Sequence, residues 1–440
     1  MRTLALTMKV PKHLRERIQL KKNNHKLITN GQIIDVESGA ISHGAIEIKN
    51  GMIERTYEEK ELLPRHIEQI DLHGKYIIPG LIDMHCHIQE AFAPHFAAGV
   101  TTVRNTAGDT HTLSPLIEAP LHAPTPTMYA SDSLIDGEPG LWGPTQPGNF
   151  VTDDPNAARK EVRRQAEVGA KFIKVYGLIK ENVLRAIVEE AKTVNLEVSC
   201  DLLHSKEIDA LTAAKLGVTW FEHASGFAQG VYPKWHIHAD QKQWRHIDWQ
   251  NPDQEKIKRF CEEILKYNVK LCPTFIVQDQ AERLPNVWDP DNPISTKGKK
   301  HFEEHWNFLL KNREAVQEQI GLLNTFIKTV AKTYADLGGT VVAGTDTPAL
   351  PGVFPGMALH RELELFVEAG FTSLQALQAA TIKAARSIHL STIGLIKEDY
   401  TANLVILDKN PLENISHTQS ITHIVKGGKI YRQEECLELL

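Results

Sequence analysis

The stretch from Pro79 to Ile88, PGLIDMHCHI, closes an apolar run with two histidines one residue apart. On an extended strand, residues i and i+2 project to the same side, so the imidazoles of His85 and His87 can reach one point in space. That spacing suits the holding of a metal ion. Cys86, between them, faces the other way and is assigned no role. A bare pair of this kind fits two structural histidines equally well, so its meaning depends on what the rest of the chain brings to the same place. Four further apolar runs end near a ligand-type side chain: KFIKVYG carries Lys174, VSCDLLHS leads into His204, WFEHAS contains His223 and AGTDTP contains Asp346. Singly, each has a structural explanation: a lysine reaching to the surface, hydrogen-bonded core histidines, an aspartate capping the next segment. Together they outline imidazole and carboxylate ligands without thiolate, which suits zinc, with other divalent ions compatible.

For these side chains to meet, the strands that bear them must lie side by side. The middle of the chain offers strands at 76–83, 101–105, 127–131, 172–176, 197–202, 219–223, 271–276 and 340–345, with helical patterns between most of them. Asp154-Pro155 reads as an N-cap followed by Pro at N1, opening a helix that stops at Gly169. The segment 181–195 carries Val183, Leu184, Ile187, Val188 and Ala191 as an apolar stripe at helical spacing. Thr372 and Gln375 form a capping-box pattern. Eight strands alternating with helices over about 250 residues or more match a (β/α)8 TIM-like barrel, in which chemistry sits at the C-terminal ends of the strands. A doubly wound open sheet lacks its glycine-rich phosphate loop here.

The two ends of the chain have a different texture. Asn30-Gly31 and Asn50-Gly51 are hairpin signals between alternating apolar runs. TANLVILDKNP and ITHIVKGGKIYR repeat that pattern near the C-terminus. A small β-sandwich domain built from both termini, 26–78 plus 394–433, is expected around a barrel at 79–393. Residues 1–25 form a basic extension to which no function is attached. The interval 229–310 holds Trp235, Trp244, Trp249, Trp288 and Trp306. Segments this long between strands are often functional lids, and a lid over the barrel mouth is expected, with packing of extra helices as the alternative for the indoles.

Composition sets outer limits. Of 440 residues, 42% are hydrophobic and 24% charged, with a net charge of -6, which favours neither nucleic acid nor an anionic membrane as partner. The five cysteines form no CxxC pair. A reduced, cytoplasmic location is the simplest account. No run approaches the roughly 20 apolar residues of a membrane-spanning helix, and no signal peptide is evident at the N-terminus.

With these pieces in place, the chain resembles the amidohydrolase superfamily, in its imidazolonepropionase-like and Xaa-Pro-dipeptidase-like branch. The matching stretches are IIPGLIDMHCH, AAGVTTVRNT, AKFIKVYG, GVTWFEHASG, AGTDTP, LHRELELFVEAGFTSLQALQAATIKAAR and ANLVILDKNPLENI. The resemblance implies a metal-dependent hydrolase acting on an amide, peptide or related carbonyl–heteroatom bond of a small substrate. It makes His85 and His87 ligands of a more buried metal and His204 and His223 ligands of a second. Asp346 would bind the first metal and handle protons. Lys174 would carry a CO2-derived carbamate bridging both ions. Such a pair of divalent ions brings the pKa of a shared water from 15.7 toward neutrality and so yields hydroxide. Trp142, Tyr176 and Tyr232 are the candidate substrate contacts, and a homo-oligomer is left open.

The chain also departs from the pattern. At strand five, relatives usually carry a histidine sooner, where this chain has Cys200 and Asp201. After strand three, dipeptide-cleaving relatives often show His-Gly where this chain has Trp142-Gly143. HSKE, His204 to Glu207, supports an alternative mononuclear deaminase. In that reading Glu207 shuttles protons, against a structural role in the first turn of a helix capped by Ser205. Organophosphate, carbamate or lactone hydrolysis on the same two-metal site is a further alternative, and a metal-free assembly protein a third.

Overall fold

The computed structural model of the protein describes residues 25–88 and 93–440. The N-terminal extension expected at 1–25 lies, apart from His25, outside the described residues. One mixed sheet of eight strands draws on both ends of the chain. Its order is Lys429–Arg432, Ile421–Lys426, Leu404–Leu407, Tyr76–Pro79, His25–Ile34, Ile41–Lys49, Met52–Glu58, with Glu68–Asp71 also on His25–Ile34. The join is made by Tyr76–Pro79, antiparallel to Leu404–Leu407 and parallel to His25–Ile34. Alternation along the strands separates two apolar clusters: Ile28, Ile46 and Leu404 belong to one, Leu27, Ala45 and Tyr57 to the other.

The single strand expected at 76–83 is two. Tyr76–Pro79 stays in the mixed sheet, while Leu81–Cys86 enters a parallel one. The break falls at Gly80, whose N–H donates to Asn403 O. A Cβ there would come within 2.3 Å of Thr101 Oγ1, so the chain can change sheets at this point only without a side chain.

Two parallel sheets follow. Leu81–Cys86, Val100–Asn105 and Thr127–Ala130 form one. The other has the order Asn149–Val151, Leu134–Asp136, Phe172–Val175, Glu197–Cys200, Trp220–Glu222, Lys270–Cys272, Thr340–Val341. Backbone hydrogen bonds connect the two: Lys171 N–H donates to Ala130 O at 2.8 Å, and Met84 N–H to Ala343 O at 3.0 Å. Helices alternate with these strands much as the sequence indicates. Pro155–Glu167 begins at an Asp154 cap, Glu181–Thr193 buries the predicted stripe, and Ser373–Ala379 carries the full Thr372/Gln375 capping box.

Two local expectations are corrected, and two short strands were not foreseen. The seventh strand ends at Cys272 rather than 276, because the Glu362 carboxylate accepts the backbone N–H groups of Phe275 and Ile276 (2.9 and 2.8 Å) and starts the helix Phe275–Arg283 there. Helix Ala210–Leu216 is capped by Asp209, which accepts from Thr212 N–H, and not by Ser205. Ser205 instead accepts from Ile208 N–H inside the preceding loop. The short strands Leu134–Asp136 and Asn149–Val151 had no clear sequence signal.

In 229–310, Trp235, Trp244 and Trp249 stack edge-on within 5.0–5.4 Å of one another. Trp249 also meets Phe326 of helix Asn324–Asp336, and Trp306 packs on Phe354 while donating to Pro348 O. These indoles are held by packing. No helix among the described residues is long and apolar enough to cross a membrane.

Candidate metal centre

Leu81–Cys86 delivers His85 at its end and His87 one step beyond, and the alternation expected of a strand holds: the two Nε2 atoms lie 3.3 Å apart. Asp346, from the loop that follows Thr340–Val341, completes the cluster. Its Oδ1 is 3.1 Å from His85 Nε2 and 2.9 Å from His87 Nε2. All three donor atoms fall within 4.8 Å of one another, a spacing one metal ion can bridge. Asp346 adopts a left-handed backbone (φ 57°), which aspartate tolerates better than most residues. Its N–H donates to His85 O at 2.6 Å. Gly344 permits this approach, since a Cβ there would lie 2.6 Å from His85 N.

Behind His85 runs a buried polar chain. Its Nδ1 lies 2.6 Å from Glu222 Oε2, and Glu222 Oε1 accepts from Arg104 at 2.7 Å and from Ser199 Oγ at 2.5 Å. The Arg104 guanidinium sits between the rings of Phe172 and Trp220, at 4.0 and 4.3 Å, and donates to Met84 O. Burial alone would raise the Glu222 pKa, but Arg104 and His85 outweigh it and hold the carboxyl well below its usual range. Burial opposes a charge on His85, yet Glu222 and Asp346 raise its pKa overall. Asp346 is likewise drawn well below the carboxylate range: His223 and His85 overcome the burial that would raise it. With Nδ1 engaged, His85 presents Nε2 to the cluster, the usual way a second carboxylate fixes a metal-binding imidazole.

The other half of the centre is built differently. His223 follows Trp220–Glu222 and takes a left-handed backbone (φ 58°). Its Nδ1 is 2.6 Å from Thr274 Oγ1, leaving Nε2 3.6 Å from Asp201 Oδ2 and 3.9 Å from Asp346 Oδ2. Burial pushes its pKa down. Lys174 is 0% exposed, and its Nζ has no hydrogen-bond partner. Its charge is felt by both Glu222 and His223, which places it beside the cluster. Burying a polar group without a hydrogen-bond partner is costly, and the Nζ lies 5.7 Å from the centre of the Tyr176 ring.

His204 is not brought to this point. Its Nδ1 lies 3.1 Å from Nε2 of the exposed His238, and it belongs to neither of the candidate metal-holding groups among the described residues. Asp201 occupies the strand-five end in its place. Glu207, the partner of His204 in the deaminase reading, is exposed in the loop before the Asp209 cap. Trp142 is 57% exposed, with its ring 6.3 Å from that of Tyr176. The Tyr176 hydroxyl is pushed far up by burial and by the nearby Asp201 and Asp346 carboxylates. Tyr232 lies elsewhere, packed on Trp249 and Phe326. Cys86 points toward Arg104 O and Asn105, away from the cluster, as expected.

Sequence reasoning passed over Glu222, Arg104 and Thr274. Strict alternation puts Glu222 and His223 on opposite faces. The left-handed turn at His223 and Ala224 (φ 58° and 49°) lets both reach the centre, and no local signal announces it.

Comparison with known proteins identifies the family. The amidohydrolase family model matches residues 76–431. Ochratoxinase of Aspergillus niger is 26% identical over 333 residues, covering 70% of this chain and 56% of that protein. The chain therefore spans a little over half the length of the first curated relatives it matches. Among solved structures, an Xaa-Pro dipeptidase with bound methionine in the active site aligns over 93% of this chain and 100% of that one, with TM-score 0.69 and 20% identity. A bottromycin amidohydrolase aligns over 94% and 88%, with TM-score 0.71 and 18% identity. At these identities the two structures speak for the fold alone.

Proposed function

Because the chain belongs to the amidohydrolase family, we propose that it hydrolyses an amide bond of a small substrate with the aid of two divalent cations. The observation that carries this reading is the meeting of His85, His87 and Asp346 at one point, together with a buried Lys174 whose Nζ has no hydrogen-bond partner. The first cation would be held by His85, His87 and Asp346, a set that suits zinc. The second would be held by His223 with Lys174, once Lys174 is carbamylated by CO2. A carbamate is an anion with two donor oxygens, whereas the ammonium it replaces is a cation with none.

Such ions, when bound, acidify a water toward neutrality and polarise the scissile carbonyl. The remaining work falls to side chains. Asp346, kept ionised by its imidazole neighbours, takes a proton from the attacking water and passes it to the leaving nitrogen. Glu222 and Arg104 keep His85 turned with Nε2 forward, and Thr274 does the same for His223. Trp142 and Tyr176, whose rings meet edge to face, would contact the substrate. The two parallel sheets are read as one closed (β/α)8 barrel over 79–393, which the bonds Lys171–Ala130 and Met84–Ala343 support. The mixed sheet of 26–78 and 394–433 is read as a β-sandwich domain.

Elemental analysis of purified protein, paired with a screen of N-acyl amino acids and dipeptides before and after chelation, tests the proposal. About two divalent ions per chain and chelator-sensitive amide cleavage are expected. Amide cleavage that survives complete metal removal would overturn it.

A further inference from the structure

Resting on the two-cation reading above, we propose that Asp201 supplies the strand-five ligand of the second cation position. The two positions would then be chemically unequal, the first rich in imidazole nitrogen and the second rich in oxygen. Asp201 and His223 are the first residues beyond two adjacent parallel strands, Glu197–Cys200 and Trp220–Glu222, whose pairing at Ser199↔Trp220 and Cys200↔Phe221 sets His223 one residue further along than Asp201. Both are tied to a neighbouring strand through their N–H groups, Asp201 to Val175 O of the preceding strand at 2.9 Å and His223 to Cys272 O of the following one at 2.8 Å. Asp201 is 3% exposed. Its Oδ1 accepts from Leu203 N–H at 3.0 Å, which leaves Oδ2 turned to His223 Nε2 at 3.6 Å.

The chain then bends away. Leu202 N–H donates to Ser225 Oγ at 2.8 Å, and Leu202 O accepts from Gln229 at 2.9 Å. By His204 the side chain has left the centre and pairs with His238. A carboxylate thus occupies the strand-five end, where an imidazole would be neutral. The first position keeps two imidazoles and one carboxylate. The second has one imidazole, the Asp201 carboxylate and whatever Lys174 contributes.

Imidazole ligands suit zinc, whereas carboxylate oxygen suits harder ions such as manganese and magnesium. Zinc should therefore be preferred over manganese less strongly at the second position than at the first. Under manganese excess with limiting zinc, the protein should hold about one ion of each kind per chain.

The test is metal content, read by elemental analysis and by the electron paramagnetic resonance signal of Mn2+, on chelated protein reloaded with zinc and manganese chlorides. Asp201→Asn should lose one of the two ions. Asp201→His should keep both positions filled but cut the bound manganese about tenfold in favour of zinc. His204→Ala should leave content and manganese signal unchanged. The proposal fails if Asp201→Asn retains both ions, if His204→Ala loses one, or if Asp201→His leaves the manganese share as it was. Circular dichroism on each variant separates lost ligation from lost folding, and the conservative Asp201→His keeps the question open to measurement if Asp201→Asn does not fold. Wild-type protein that binds fewer than two ions under every loading condition would instead sink the two-cation reading itself.

Discussion

His85 and Lys174 are both fully buried, titratable side chains borne by parallel strands, yet their surroundings have opposite character. His85 is enclosed: Glu222 on one ring nitrogen, His87 and Asp346 at the other, with Arg104 bracing Glu222 from below. Lys174 has hydrogen-bond partners for none of its protons. The first arrangement is electrostatically closed by protein groups alone. The second is left open, and the Asp201 carboxylate close by is turned to His223, 3.6 Å from its Nε2. A folded chain tolerates an unpaired buried polar group only at a cost in stability, and such costs concentrate where function requires them. The difference teaches that one half of the centre is held by hydrogen bonds among its own side chains, whereas in the other the Lys174 Nζ has no hydrogen-bond partner.

The strongest way to break this contrast is at the group both halves share. Asp346→Ala removes a donor from the first half and a neighbour of His223 from the second. Turnover of the best substrate found should fall by about 10²–10⁴-fold, with metal content reduced in elemental analysis. A variant with near-normal turnover would remove Asp346 from proton handling.

Next in size is Lys174→Ala, which should drop the protein to about one ion per chain and take most of the activity with it. Formate or acetate should restore part of both, by placing a carboxylate in the vacated space. Lys174→Arg should not respond, since guanidinium stays charged and cannot form the carbamate. Full activity in Lys174→Ala with a single bound ion would show that the open half is not a metal position.

Glu222→Gln acts on the closed half without touching the metal donors. Loss of the carboxylate behind a ligating histidine typically costs about 10–100-fold in metal affinity, which a chelator-competition titration would measure. It also leaves Arg104 buried without its counter-charge, so the melting temperature should fall. An unchanged affinity would mean that His85 needs no support from Glu222.

The smallest effect concerns the turn that holds Thr274 against His223. Glu362 accepts both N–H groups that begin helix Phe275–Arg283, and burial pushes its carboxyl from 4.5 up to about 8, against those hydrogen bonds. Between those values the folded chain keeps a proton that the unfolded chain has released. This group's stabilising contribution is therefore complete below about 4.5 and gone above about 8. Melting temperatures from pH 5 to 9 should decline less steeply in Glu362→Gln than in the wild type. Parallel profiles would show that Glu362 does not titrate in this window.

Much of this centre was legible in the sequence, because much of it is local. The i, i+2 spacing of His85 and His87 places two imidazoles together on any strand, and Asp154-Pro155 and Thr372/Gln375 mark helix starts through bonds within one turn. The apolar runs that precede Lys174, His223 and Asp346 identify strand ends without reference to the rest of the fold. What stayed hidden depends on partners remote in sequence or on backbone turns that composition does not encode. Glu222 reaches the same centre as His223 only because two non-glycine residues adopt left-handed conformations. The end of the seventh strand is set by Glu362, nearly ninety positions later.

The strand-five end shows where the boundary lies. Residue type and approximate spacing single out His204, the only histidine in reach, and on the sequence alone nothing ranks Asp201 above it. The tertiary structure reverses that order. Ser225 and Gln229, on the segment after strand six, take hold of Leu202 and turn the chain before His204 can point inward. By itself, the sequence determined the strand ends and the donor types available there, since both follow from short-range periodicity and side-chain chemistry. Which of two donors three residues apart faces the centre was decided only by the tertiary structure, because three residues are enough for a turn held by distant hydrogen bonds to carry a side chain from one face of the strand end to another.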